Sequence, residues 1–464
     1  MSLLIRHGRV VTAADDYIAD LFVEDGRIAL IGESIDRPAD RVIEAAGKYV
    51  LPGCVDVHTH LDMPLGDIVT ADDFLSGQTA AAFGGTTCHI DFATQERGST
   101  LAEALAAWHA KREGRSIIDN GFHIAVTDLS RPGALDELAA LPEQGVTSYK
   151  LYLAYKSSLQ VDDGTLFRAM WVAASTGALV MVHAENGDVI DVLVREALAQ
   201  GHSSPRWHGL TRPPETEGEA VNRSIQLAHL AGCPLYVVHV SCRQALDPIE
   251  EAREKGWRVW GETCPQYLLI DSSYLERDGF EAAKYVFTPP PRAKENQELL
   301  WAACRRDVIS AVSTDHCSFF WQSQKTLGKN DFSKIPNGAP GIETRLELIH
   351  TFGVLTGRIT LNRMVDLLAT SPAKLFGLYP RKGTIAVGAD ADLVVFDPRR
   401  ERTLSASTHH SRADYTIYEG VKVTGVPELV VRRGEVIVEG DELLAAPGSG
   451  LYVRRARFGE RLEP

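Results

Sequence analysis

The 464 residues are 44% hydrophobic and 24% charged, the profile of a folded protein with a sizeable core. Lys and Arg number 48 against 62 Asp and Glu, a formal net charge of −14, and no basic block interrupts that balance. Nucleic acid and anionic membranes are therefore excluded as expected partners.

The seven cysteines (Cys54, Cys88, Cys233, Cys242, Cys264, Cys304, Cys317) are scattered, without a C-x-x-C pair. They read as small buried hydrophobes in a reducing, cytoplasmic setting. The opening MSLLIRHGRVVTAADD has no long apolar core and no cleavage pattern, and no run of about 18 consecutive apolar residues occurs, so a cytoplasmic protein is expected.

In chain order, residues 1–51 contain short strand-like runs, LLIRHGRVVTA, DLFVEDGRIALIG and RVIEAAGKYVLPG, with a hairpin signal at Asp25–Gly26. The same texture returns in GTIAVGADADLVVFDP and PELVVRRGEVIVEGD, within residues 378–464. Each piece alone is too small to bury a core, which predicts one small β-sandwich domain built from both termini, with a tail.

Residues 52–377 alternate strand and helix patterns. The strand runs are VDVHTH, TTCHIDF, GFHIAV, SYKLYL, ALVMVHAE, LYVVHV, RVWGETC and VISAVSTDH. Amphipathic stretches such as ADDFLSGQTAAAFG, TLAEALAAWHAKREG and DPIEEAREKG lie between them. Near-continuous apolar strands belong to a parallel sheet covered on both faces, and eight such units predict an α/β fold of the (β/α)8 barrel type. A doubly wound open sheet is the alternative, weakened by the lack of a glycine-rich phosphate loop.

Barrel enzymes keep their chemistry at strand ends, and polar residues cluster there. In His58-Thr59-His60, alternate side chains share one side of a strand, so both imidazoles face one point. His183 and His239 close the fifth and sixth runs. Each alone reads as a structural histidine; their placement turns the reading towards metal ligands. Asp315 ends the eighth run, where a carboxylate can bind a cation and accept a proton, or simply cap the next segment. His89 and His123 lie inside strands and read as structural, while His316, directly after Asp315, is expected to point the other way, as a supporting partner of the ligands.

Lys150 is the unusual member. An ammonium of pKa about 10.4 cannot bind a cation, whereas a carbamate formed with carbon dioxide could bridge two cations about 3.5–4 Å apart. A salt-bridged lysine at a strand end is the plainer reading.

Taken together, VDVHTHLD, SYKLYLAYK, VHAENGD, VVHVSC, ETCPQYL, TPPPR, STDHC, IPNGAPGIE and LFGLYPRKGTIAVGADADLVVFDP form an ordered set over nearly the whole chain. With them the chain resembles the amidohydrolase superfamily, in its cyclic-amidase branch of dihydropyrimidinases and D-hydantoinases. The resemblance implies that His58, His60 and Asp315 hold one divalent metal and His183 and His239 a second. Carboxylated Lys150 would bridge them, with a hydroxide shared between. It further implies that Tyr155 stabilises the oxyanion, that Asp315 shuttles the proton, and that backbone groups near Thr288 and Asn337 grip the ring amides.

The implied product is an N-carbamoyl amino acid, and the implied assembly a homotetramer. Nitrogen and oxygen donors without thiolate suit zinc and permit manganese, cobalt or nickel; Cys317 reads as a loop residue. Thr288 stands where the family pattern has serine, and Ser318 where proline is frequent.

Met63, Leu65, Tyr152 and Leu159 are expected to form an apolar specificity wall for the ring substituent, or else only to pack the barrel mouth. The competing activities are allantoin- or dihydroorotate-type ring opening, the latter with Arg292 as candidate carboxylate partner. A non-catalytic scaffold is disfavoured because every ligand is kept.

Overall fold

The computed structural model describes residues 2–460. Eight parallel strands appear at the eight apolar runs: Cys54–Thr59, Thr86–Thr94, Asp119–Ala125, Ser148–Tyr152, Leu179–His183, Leu235–Val237, Val259–Thr263 and Ile309–Val312. They pair in chain order, each with the next, and almost every residue in them is buried. Both faces of the sheet are covered, so the polar residues these strands carry, such as Asp91, His123 and Glu262, are buried and must find partners inside the fold.

The curled sheet encloses Val55, Val57, Ile90, Phe92, Met181, Tyr236 and Val238, with Phe376 packed against them. Each such side chain contributes roughly 1.5–3 kcal/mol on burial. Between the first and eighth strands, a parallel bridge pairs Thr59 with His316. Lower on that seam Arg345 donates to Val55 O (3.1 Å) and Val312 O (3.0 Å), one carbonyl from each side.

Helices follow the expected stretches with corrected ends. Phe74–Phe83 starts at an Asp73–Ser76 capping box, and Leu101–Arg112 at a Thr100–Glu103 box. The helix expected from Asp247 begins earlier, at Arg243, and runs to Glu254 through Pro248. Buried Ala245, Leu246, Ile249 and Ala252 give it a continuous apolar stripe, which outweighs the proline.

The termini share one nine-stranded sheet. The two contributions meet where Tyr49–Pro52 pairs antiparallel with Leu393–Thr403. Leu3, Ile5, Leu21 and Val23 from the N-terminal strands pack with Leu393, Val395 and Val431 from the C-terminal ones, the common core neither piece could form alone. Lys382 ties sheet to barrel: its buried ammonium donates to Asp119 (2.7 Å) and Asp392 (2.8 Å).

Past the last sheet strand the chain returns beneath the barrel. Val453 N donates to Asn120 O, Ala456 N to Gly377 O and Phe458 N to Gly177 O. Gly377 has φ 69, and a Cβ there would stand 2.1 Å from Ala456 O, so only glycine allows the tail to pass so close.

Candidate functional site

The C-terminal ends of the strands open into a cavity of about 530 Å³. Its floor carries two clusters. In the first, Nε2 of His58 and Nε2 of His60 each lie 3.1 Å from Asp315 Oδ1. In the second, His183 Nδ1 faces His239 Nε2 at 2.8 Å. The His58 and His239 rings are 5.5 Å apart, so the clusters adjoin, and Lys150 lines the same floor.

The strands place these groups differently. His58 and His183 sit on strands, while His239 and Asp315 lie just past strand ends with φ of 42° and 51°. That left-handed backbone turns the side chains back over the barrel, a strained conformation typical of functional residues. Lys150 is in the middle of its strand, not at the end; its neighbour in register is Ala125.

Carboxylates hold the imidazoles from behind. His58 Nδ1 donates to Glu262 Oε1 (2.6 Å), which leaves Nε2 free to face the cluster. His183 Nε2 donates to Glu185 Oε2 (3.0 Å), which leaves Nδ1 free in the same way. This is how metal-binding histidines are fixed in tautomer and orientation. Glu262 also accepts from Tyr236 (3.0 Å) and from the backbone of His239 (3.2 Å), so one buried carboxylate orders members of both clusters. Neither glutamate is evident from sequence spacing. The available signal was an acid at the end of an apolar strand run, RVWGETC and VHAENGD.

Charge is frustrated on this floor. Burial lowers His58, but Asp315 and Glu262 outweigh it and raise the imidazole to about 9. Burial lowers His60 to about 4 against the pull of Asp315. Burial and the neighbouring His183 push His239 well below the usual histidine value. Burial would raise Asp315, yet His58 and His60 hold it well below the carboxylate range. Lys150 is lowered to about 8, chiefly by burial, and among the described residues its Nζ has no hydrogen-bond partner. His60 Nδ1 is also without one. An orphaned buried amine beside four imidazoles and a carboxylate crowded at hydrogen-bond distance is a donor set fitted to cations.

The remaining candidates line the walls. Tyr155 (φ 69), Thr288 and Asn337 all border the cavity. Burial raises the Tyr155 phenol to about 12, opposed by hydrogen bonding towards Thr288 and Asn337. Met63, Leu65 and Leu159 supply apolar lining, joined by Ile335 and Leu327, which sequence reasoning did not single out, while Tyr152 lies deeper, its ring 5.7 Å from that of His183. Cys317 is buried against the cavity, its thiol pushed well up by burial.

Other polar residues are occupied elsewhere. His89 bonds Thr59 and Gln78, and His123 bonds Ser148 and Val57 O. The side chain of His316 points away from the ligands, as expected of the residue after Asp315, and it does not take the supporting role there. Its Nε2 bonds Asp72 (3.1 Å) and its Nδ1 accepts from Gly341 N; only its backbone carbonyl supports the site, by accepting from His60 N (2.8 Å). Ser318 adds a hydroxyl bond to the same Asp72 (2.7 Å), a contact a proline there would lack. Arg292 is buried in a pair with Glu217 (2.8 Å) and a bond to Ser241 (2.9 Å), away from the cavity lining.

Known proteins show the same frame. A D-hydantoinase of Geobacillus stearothermophilus is 55% identical over 460 residues, 99% of this chain and 98% of that one. A D-hydantoinase of Streptomyces coelicolor is 49% identical, covering 98% of each. The crystal structure of dihydropyrimidinase from Brevibacillus agri NCHU1002 superposes with a TM-score of 0.98 at 49% identity, covering 99% of this chain and 100% of that one. The sequence pattern of the Amidohydrolase family matches residues 49–437, from the last N-terminal strand through the barrel and into the returning sheet. With a barrel, a histidine–aspartate floor and full-length relatives in agreement, this chain belongs to the amidohydrolase family.

Proposed function

We propose that this protein is a metal-dependent cyclic amidohydrolase that opens 5-substituted hydantoins and dihydropyrimidines to N-carbamoyl amino acids. The observation that carries the reading is one cavity with a His58/His60/Lys150/His183/His239/Asp315 floor and Tyr155, Thr288 and Asn337 on its walls. Its full-length similarity to D-hydantoinases and a dihydropyrimidinase supports the substrate class.

His58, His60 and Asp315 would hold one divalent cation, His183 and His239 a second, and carboxylated Lys150 would bridge them. Zinc suits these donors, and manganese, cobalt or nickel would also be accepted. When bound, such cations supply Lewis acidity and make hydroxide available near neutral pH.

The chain's own groups do the rest. Asp315, kept ionised by its histidines, takes the proton of the attacking water and delivers it to the departing ring nitrogen. Tyr155, kept protonated by burial, donates to the carbonyl oxygen as it gains charge. Main-chain groups at Thr288 and Asn337 hold the ring amides, so the methyl of Thr288 is tolerated. Met63, Leu65, Tyr152 and Leu159 receive the substituent on the ring carbon.

Dihydroorotate is disfavoured, because the arginine best suited to its carboxylate, Arg292, is already paired with Glu217. We read the chain as a catalytic barrel over residues 52–377 carried by the sandwich of 1–51 and 378–464, acting as a cytoplasmic homotetramer. No helix is long and apolar enough to cross a membrane among the described residues.

The test is kcat/KM of the metal-loaded enzyme on dihydrouracil beside both enantiomers of a 5-aryl hydantoin. Turnover of at least one ring is expected. Preference for dihydrouracil would mean a tight pocket, and preference for one aryl enantiomer an open apolar one; turnover of none overturns the reading.

A further inference from the structure

Thr288 and Asn337 reach the cavity from separate loops, and between those loops lies Lys325, in the short turn Lys325–Gly328. We propose that Lys325 is a positioning residue that sets the spacing of the two backbone segments that grip the substrate ring. The proposal rests on the reading of Thr288 and Asn337 given above.

The side chain of Lys325 is fully buried, and no carboxylate pairs with it among the described residues. Its Nζ donates instead to three main-chain carbonyls: Val286 O (2.8 Å), Pro336 O (2.7 Å) and Gly338 O (2.8 Å). Val286 precedes Thr288 by two residues, and Pro336 and Gly338 flank Asn337. Burial lowers this amine to about 7. In its protonated form it has three protons to donate, and here each one goes to the backbone beside a ring-gripping residue.

The neighbouring bonds leave these segments little freedom. Gly338 N donates to Val286 O (3.1 Å), a direct stitch between the loops. Gly338 has φ 148, and a Cβ there would stand 2.4 Å from Cys317 O, so this loop lies against the one that follows Asp315. On the other side, His208 Nε2 donates to Phe287 O (2.9 Å). A buried charge is expensive to keep, and an apolar side chain of the same length would fill the space at less cost. What the ammonium alone provides is a fixed distance between carbonyls on two loops.

Ring contacts made through these segments act on ground state and transition state alike, so losing them raises KM more than it lowers kcat. Lys325→Met keeps the length and removes the donors; Lys325→Gln keeps two of them. Both are measured in the metal-loaded enzyme against the best ring of the panel above, with metal content and melting temperature recorded. Lys325→Met is expected to keep its metal and raise KM about tenfold, with kcat within about threefold of the parent. Lys325→Gln is expected to raise KM by about threefold, and it carries the test if the Met variant does not fold.

An unchanged KM in a folded, metal-loaded Lys325→Met variant overturns the proposal, or in Lys325→Gln if only that one folds. So does a fall in kcat alone, a loss of metal together with activity, or failure of both variants to fold, since each would assign Lys325 to the fold at large. An inactive parent overturns the functional reading and this proposal with it; an active parent with an unmoved variant overturns this proposal alone.

Discussion

On the floor of the cavity the imidazoles of His58 and His183 are each held from behind by a buried carboxylate, Glu262 and Glu185. At the rim, Leu65 stands 39% exposed on a two-residue hairpin strand, and Leu159 follows the left-handed residues Tyr155 and Ser157 on a loop. That loop is held by exposed side chains: Arg97 donates to Ser158 O (3.2 Å) and Gln160 O (3.0 Å), and Lys156 pairs with Asp188 (2.8 Å). The floor is thus fixed by strands and paired charges, the rim by a few loop contacts. Such a division lets the pocket's taste change without disturbing its chemistry.

The comparison breaks most readily at Lys150. Lys150→Ala is expected to lose metal and lower kcat/KM by about 10³-fold or more, read by metal analysis beside kinetics. A variant that kept both would show that the floor needs no bridge. Glu262→Gln comes next: it keeps the shape but not the charge behind His58, and metal affinity should fall about 10–100-fold in a titration of the metal-free protein. An unchanged affinity would reduce Glu262 to packing.

A smaller effect follows from pH. In the metal-free protein Lys150 titrates at about 8 and His58 at about 9. Both lose a proton as pH rises, one to become a neutral amine that can capture carbon dioxide, the other to offer a lone pair. Reactivation with metal at a fixed concentration of dissolved carbon dioxide should therefore quicken about tenfold from pH 7 to pH 9, following the neutral-amine fraction. A rate that is flat or falling over that range would contradict it. Smallest is the rim: Leu65→Ala or Leu159→Ala should change the ratio of kcat/KM on aryl-substituted and unsubstituted rings by about tenfold or less, with metal content untouched. A constant ratio would demote these residues to packing at the barrel mouth.

Sequence reading reached the floor further than its supports. The eight strands are legible because doubly covered strands are rich in apolar residues and alternate with helical stretches, and His183 and His239 gain meaning from their shared placement at strand ends. His58 and His60 declare their shared direction through the two-residue period of a strand. Glu262 has no such local sign: it lies 204 residues from His58, and only barrel closure brings the two together. Lys325 was invisible for another reason. It sits in the polar stretch WQSQKTLGKNDFSK, which reads as solvated loop, and its burial depends on loops arriving from both sides. The direction of the His316 side chain follows from its place after Asp315, but its partner, Asp72, comes from a distant loop and leaves no local sign.

The seam of the barrel has one more consequence. His58 and His60 belong to the first strand's end and Asp315 to the segment after the eighth, so their meeting point straddles the line where the curled sheet closes on itself. A cation gripped by those three groups would act as a buckle on a hoop. Its removal would then slacken the hoop as well as silence the chemistry. For an enzyme kept at work over long periods, endurance and activity would share a single fastening, and a chelator would reach both at once.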